Sequence, residues 1–287
     1  HLAPCRRRRG LNAGGWAAYW RRGARCGAAR SRRLIAPLAA GRPGRKVLDA
    51  TLEGFDVLYD LWGSVQGLKI FMAGNQWFVV PELLEYLGEN GISAFVETLP
   101  PGVVREHARG TPVRIGNLVI DFRPEIVSLP PSMMRGLDVV ESFEYASNVI
   151  AIAYRRGVEV RDWCSLRGLR VAIPNPDTEG IGQLFKEVYE ESCGGYDELA
   201  RRARLTKVHH REIPKMLASG EIDAGVVWVT EALYWRFDHV VPSPNREGRL
   251  AFGLMKEHSE AAERAFSLLR SDRVREIYTK YGFRWVA

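Results

Sequence analysis

The chain has 287 residues, 46% of them hydrophobic, enough to bury a full core, divided between two lobes of ordinary domain size. No run approaches the roughly 18 apolar residues of a membrane-spanning helix. The formal charge of +7 comes from one end: residues 1–48 hold thirteen of the 41 Lys and Arg and no acid, leaving 28 basic against 34 acidic residues beyond, so only that end could serve a nucleic-acid partner.

Residues 1–46 are rich in Arg, Ala and Gly, lack periodicity and end in the breaker-rich AGRPGRK, which reads as a disordered basic leader. Three readings stay open for it. Ser31, Arg32, Arg33, Leu34 and Ile35 fit the core of a twin-arginine export signal, with a short apolar region behind them. The charge also suits a DNA-contacting arm, and a leader without function or an uncertain start fits the absence of an initial Met. Residues 47–67 read as a linker, with an amphipathic helix over 47–61 on the spacing of Leu48, Leu52, Phe55, Leu58 and Leu61.

From Leu68 strands and helices alternate. Strands are expected over residues 68–73, 93–98 and 125–129, with a helix over 77–87. The long apolar run 148–154 reads as a strand crossing between lobes. A second set follows: a strand over 170–173, a helix over 181–191, then the unit that begins at Lys207. There Pro214 suits a first helical turn, Gly220 stops the helix, and residues 224–229 are apolar on both faces, as in the inner strand of a parallel sheet. Return strands at 240–241 and 251–255 and helices over 259–269 and 272–281 close the chain. The alternation argues for an α/β fold.

Polar groups collect where these strands end, and ligands of open α/β sheets bind outside the carboxyl ends of strands. Gly74, Asn75 and Gln76 follow the first strand; Thr178, Glu179, Gly180 and Ile181 open a helix in the second set. Backbone N–H groups at such turns suit an anion without a counter-ion, although Asn75 and Thr178 also serve as ordinary caps. Ser147 and Asn148 enter the crossing strand, and Trp228, Thr230 and Glu231 end another. His209 and His210 are adjacent on a turning segment, where both binding one metal would strain the backbone, so hydrogen bonds that lock the lobes are the preferred role and no metal site is assigned. Cys164 and Cys193 fall in one lobe and could pair outside the cytoplasm. No GxSxG elbow, phosphate-loop motif, HExxH or paired CxxC occurs, and neither an enzyme nor a cofactor is expected.

The segments LKIFMAGNQ, IPNPDTEGIG, KVHHREIP, GEIDAGVVWVTEA and IYTKYGF, in this order, resemble the type II periplasmic solute-binding proteins of ABC importers, in particular the molybdate- and tungstate-binding branch. The resemblance covers about three quarters of the chain, from Leu68 on. It implies a two-lobe fold with a mainly parallel sheet in each lobe and two crossover strands: residues 68–145 with 241–287 as lobe 1 and 146–240 as lobe 2. It further implies an extracytoplasmic monomer that captures a small polar ligand, an oxoanion first, for an ABC permease. Trp228 departs from that branch, which tends to place a Tyr there, and the carboxylates of Glu179 and Glu231 also leave room for a cationic, zwitterionic or neutral polar ligand. The competing function is the ligand-sensing domain of a one-component transcription regulator, although the basic leader shows no helix-turn-helix pattern.

Overall fold

A computed structural model describes residues 51–52, 55–207 and 209–287. The expected leader, with Cys5, Cys26 and the twin-arginine segment, lies outside the described residues.

The described residues begin with a two-stranded ribbon, β1 (Thr51–Leu52) and β2 (Phe55–Asp56), a 3-10 turn (Leu58–Asp60) and strand β3 (Leu61–Gly63). The described part of the stretch expected as an α-helix is therefore short strands around a single 3-10 turn. Its helical spacing is overridden by tertiary pairing: Leu61 lies opposite Glu97 in the sheet, and Val57 and Leu61 are buried in the core.

Strand β4 (Leu68–Ala73) is apolar on both faces and runs parallel to β5 (Ala94–Leu99), with helix α1 (Val80–Glu89) between them. The expected helix start at Trp77 is delayed, because Gly74–Gln76 form a 3-10 turn first. Helix α2 (Pro101–Ala108) and the hairpin β6 (Val113–Ile115) and β7 (Leu118–Ile120) follow, both beyond the sequence expectations. Strand β8 (Ile126–Leu129) lies parallel to β4 on its other side.

Strand β9 (Val139–Tyr154) runs sixteen residues and ties the sheet together. Beyond it come β10 (Val171–Ile173), α3 (Gly180–Cys193), α4 (Tyr196–Arg202), β11 (Arg204–Leu205), α5 (Glu212–Ser219), β12 (Ala224–Trp228), α6 (Val229–Trp235), β13 (Asp238–Val240) and β14 (Glu247–Met255). Helices α7 (Glu260–Leu268) and α8 (Asp272–Lys280), each capped by a serine that accepts an amide at its first turn, lead to β15 (Arg284–Trp285).

The described strands of the main sheet follow the order β11-β10-β12-β9-β14-β8-β4-β5-β3, with β13 and β15 also on β9. Each half has a parallel trio, β11-β10-β12 and β8-β4-β5. Antiparallel β9 and β14 join the halves: β9 pairs with β14 over its first part and with β12 from Ile150 to Tyr154. The core divides the same way. Phe71, Phe95, Val127 and Ala251 share one apolar cluster, while Ile150, Ile173, Phe185 and Val226 share another. The expected α/β fold with parallel strands in each half is what the chain adopts. Cys164 and Cys193 form a disulfide that fastens the turn before β10 to the end of α3.

Candidate functional site

Buried ionisable side chains gather where the two halves meet: Glu179 beyond β10, His209 and His210 before α5, Glu231 in the first turn of α6 and Asp60 before β3. On the first half, β4 ends at Ala73 and the chain turns through Gly74. A Cβ at Gly74 would lie 2.5 Å from His209 Nε2 and 3.2 Å from the Leu99 carbonyl, so the two halves meet here at a distance only glycine allows. The next residue, Asn75, is buried with its Oδ1 unpartnered. Gln76 turns inward: its Nε2 donates to Ser128 Oγ (2.9 Å), and its Oε1 accepts from Tyr278 (2.6 Å) and, closer still, from Tyr145. Its carboxamide is thus committed to the lobe interior.

On the second half, β10 leads through residues 174–179 into α3. A Cβ at Gly182 would lie 2.5 Å from the Asn175 carbonyl carbon, so glycine lets this loop lie flat on the first turn of the helix. Glu179, just before α3, is buried. It accepts from Thr206 Oγ1, from the His210 backbone N–H (2.7 Å) and from His210 Nδ1 (2.8 Å). His210 Nε2 lies 2.8 Å from Glu231 Oε1, an ion-pair contact off the line of the N–H, and Glu231 sits fully buried in the first turn of α6.

With a carboxylate against each ring nitrogen, His210 is an imidazolium. Burial alone would lower its affinity for a proton; the charge of Glu231 at close range and the hydrogen bond to Glu179 outweigh it and raise the pKa to about 9. His209 goes the other way. Burial, then the positive charges of His210 and Arg211, hold its pKa well below the ordinary imidazole value. Its Nδ1 accepts from the Arg211 backbone N–H (3.1 Å) and Nε–H (3.3 Å), which puts the single proton of the neutral ring on Nε2. That Nε2, buried and without a partner, faces Gly74.

Glu179, His209 and His210 bring one ligand atom each within 4.8 Å, close enough for a metal ion. Their hydrogen bonds do not suit one as arranged: a metal would have to displace the shared His210 proton and compete with the Arg211 guanidinium at His209 Nδ1.

The remaining sequence candidates are spread around this cluster. Thr230 accepts from Asn148 Nδ2 (2.7 Å), a bond that ties the start of α6 to the crossing strand. Ser147 donates to Glu247 (2.5 Å) on β14. The Trp228 ring lies against Gly248, and Ile181 belongs to the apolar core of the second half. Thr178 and Gly180 are exposed. The structure thus brings together Gly74, Glu179, His209, His210 and Glu231, with Asn148 and Thr230 bonded to each other on the crossing strand and α6.

Two partners were not expected. Asp60, fully buried, accepts from Thr98 Oγ1 (2.8 Å) and from Arg211 Nη2 (2.5 Å), and the Arg211 guanidinium stacks 5.3 Å from the Trp77 ring. Asp60 lies in the stretch read as a linker, and no local pattern links it to a residue 151 positions away.

A family model described as bacterial extracellular solute-binding protein matches residues 133–284, more than half of the chain. No curated protein matches. Among solved structures, the periplasmic molybdate-binding protein of Azotobacter vinelandii superposes with a TM-score of 0.64 at 18% identity, covering 77% of this chain and 100% of that one. The substrate-binding domain of a putative molybdenum ABC transporter from Clostridium difficile gives 0.57 at 15% identity, covering 77% and 99%. The regulatory domain of CcmR from Synechocystis, in complex with 2-PG, gives 0.52 at 11% identity, covering 70% and 94%. At these identities the likeness shows the fold alone, which is the type II periplasmic-binding-protein fold. The chain belongs to the family of bacterial extracellular solute-binding proteins.

Proposed function

We propose that the chain works outside the cytoplasm as the capture component of an ABC importer, its lobes closing on a small polar ligand, in the first place an oxoanion such as molybdate or tungstate. Residues 68–145 and 241–287 form one lobe and 146–240 the other. Residues 57–63 join the first, because Val57 and Leu61 pack in its core. β9 and β14 are the hinge strands.

One observation carries the reading: neutral His209 aims a buried, unpartnered Nε2–H at the Gly74 turn of the opposite half. A donor without charge, set in a desolvated cleft, favours ligand oxygens. His210 meanwhile neutralises part of the carboxylate charge of Glu179 and Glu231, which would otherwise repel an anion. The first turn of α3 adds the positive end of a helix dipole beside Glu179. The disulfide suits an oxidising compartment. The transport partner is supported by the family and by the transporter named for one structural neighbour.

The test is a thermal-shift panel on the full chain with molybdate, tungstate, sulfate, phosphate, divalent metals, amino acids and sugars. A ligand at about 100 times its Kd stabilises the folded state by about 2.7 kcal/mol, a readily measured rise in midpoint. A shift with molybdate or tungstate is expected; a shift with zwitterions or metals alone would replace the oxoanion with that class. The regulator reading is served by the fold it shares with the CcmR domain. Salt-dependent DNA binding lost on deleting residues 1–48 would favour that reading.

A further inference from the structure

We propose that Arg211 is the positioning residue of the cleft: anchored on Asp60 in the opposite half of the sheet, it holds His209 in the form that turns an N–H toward Gly74, so that closing the cleft and presenting that donor are one event. The first part concerns closure alone; the second rests on the reading of the cleft as the ligand site.

One guanidinium makes contacts on both halves. Arg211 Nη2 bonds Asp60, whose carboxylate is also held by Thr98 of β5, and the two side chains are only 8% and 1% exposed. The same guanidinium stacks on Trp77, the residue that follows the Gly74–Gln76 turn. Both of these contacts lie on the first half. The third lies on its own: Nε–H and the backbone N–H of Arg211 are directed at His209 Nδ1. An imidazole that accepts at Nδ1 carries its proton at Nε2, and a fixed cation beside Nδ1 opposes a second proton there.

A buried ion pair of this kind behaves as a latch. When the halves are together, losing either partner strands the other charge out of water; when they separate, both charges return to solvent. Arg suits the role better than Lys, because its planar fork bonds a carboxylate while its face stacks on an aromatic ring. Asp60 also gives a purpose to the segment before β4, which the ligand-site elements alone leave without one.

The experiment is hydrogen exchange on the full chain with no ligand added, comparing wild type with Asp60→Asn, Arg211→Lys and the charge swap Asp60→Arg with Arg211→Asp. Amides of residues 74–77 and 209–213 should exchange at least about tenfold faster in both single variants, with the amides of β9 unchanged and the swap restoring protection. Unchanged exchange on the two walls, equal acceleration in β9, or a swap that restores nothing would overturn the latch. Nitrogen-15 NMR of the His209 ring reads the second part. In wild type the single proton sits on Nε2, whereas in Arg211→Met part of the population carries it on Nδ1 and the second proton is gained at a higher pH than in wild type, with burial and His210 still holding that pH below the ordinary imidazole range. A tautomer and a titration unchanged from wild type in Arg211→Met would assign the positioning to the backbone N–H and overturn the role of the side chain. None of these readouts uses a ligand, so their failure is distinct from failure of the oxoanion panel.

Discussion

Replacing His210 by Gln removes the one cation that separates two buried carboxylates, and the size of the loss follows from its environment. Glu179 and Glu231 hold the imidazolium so that its pKa stands at about 9, against 6.5 for a free imidazole. A raised pKa in the folded state means that the proton stabilises folding fully below about 6.5, and that this term fades as pH rises through about 9. The gap between 6.5 and about 9 corresponds to about 3 kcal/mol. His210→Gln should therefore be less stable than wild type by about 3 kcal/mol near pH 6, with the difference shrinking toward zero by about pH 10. Urea unfolding of both proteins across that range measures it, and groups that titrate alike in the two proteins cancel in the difference. A deficit below about 1 kcal/mol at the acid end, or one that does not shrink with pH, would refute the imidazolium between two carboxylates.

Three further outcomes follow from the same geometry. Gly74→Ala places a methyl 2.5 Å from His209 Nε2 and should hold the halves apart, weakening oxoanion binding at least about tenfold by calorimetry and costing about 1 to 3 kcal/mol in urea unfolding. Replacing Cys164 and Cys193 with Ser opens a loop with a sequence separation of 29 and should cost about 3 to 4 kcal/mol in urea unfolding; a cost under about 1 kcal/mol would contradict the role given to the bridge. Gln76→Leu leaves the Tyr145, Tyr278 and Ser128 hydroxyls without their shared partner and should destabilise by about 1 to 3 kcal/mol, which a melting curve reads.

The parts of the fold that declare themselves in sequence are those whose burial is local. Residues 68–73 and 224–228 are apolar on both faces and form inner strands; Gly220, at φ 77°, stops α5 where a left-handed residue is needed. The helix expected over 47–61 fails because Leu61 and its neighbours gain more from pairing with β5 than from their helical spacing. The hairpin of β6 and β7 had a signal in Gly116–Asn117, a pair that favours a tight turn. In the site, Glu179 and Glu231 were visible as polar groups near strand ends, and His209 and His210 as hydrogen-bonding residues on a turning segment. Their opposite protonation was not, because it depends on partners just before α3, in α6 and at Arg211. Asp60 was invisible for the same reason, and Gln76, a reasonable ligand contact by position, bonds tyrosines from distant β9 and α8 instead.

The central claim is that the interlobe cleft whose two walls meet at Gly74 and His209 takes up a small oxoanion, and the most direct measurement is isothermal titration of molybdate and tungstate into the full chain and into His209→Ala. Saturable one-to-one binding by wild type, weakened at least about tenfold in His209→Ala through loss of a desolvated hydrogen bond, is the predicted result. Absence of binding in wild type, or equal affinity in the two proteins, would contradict it.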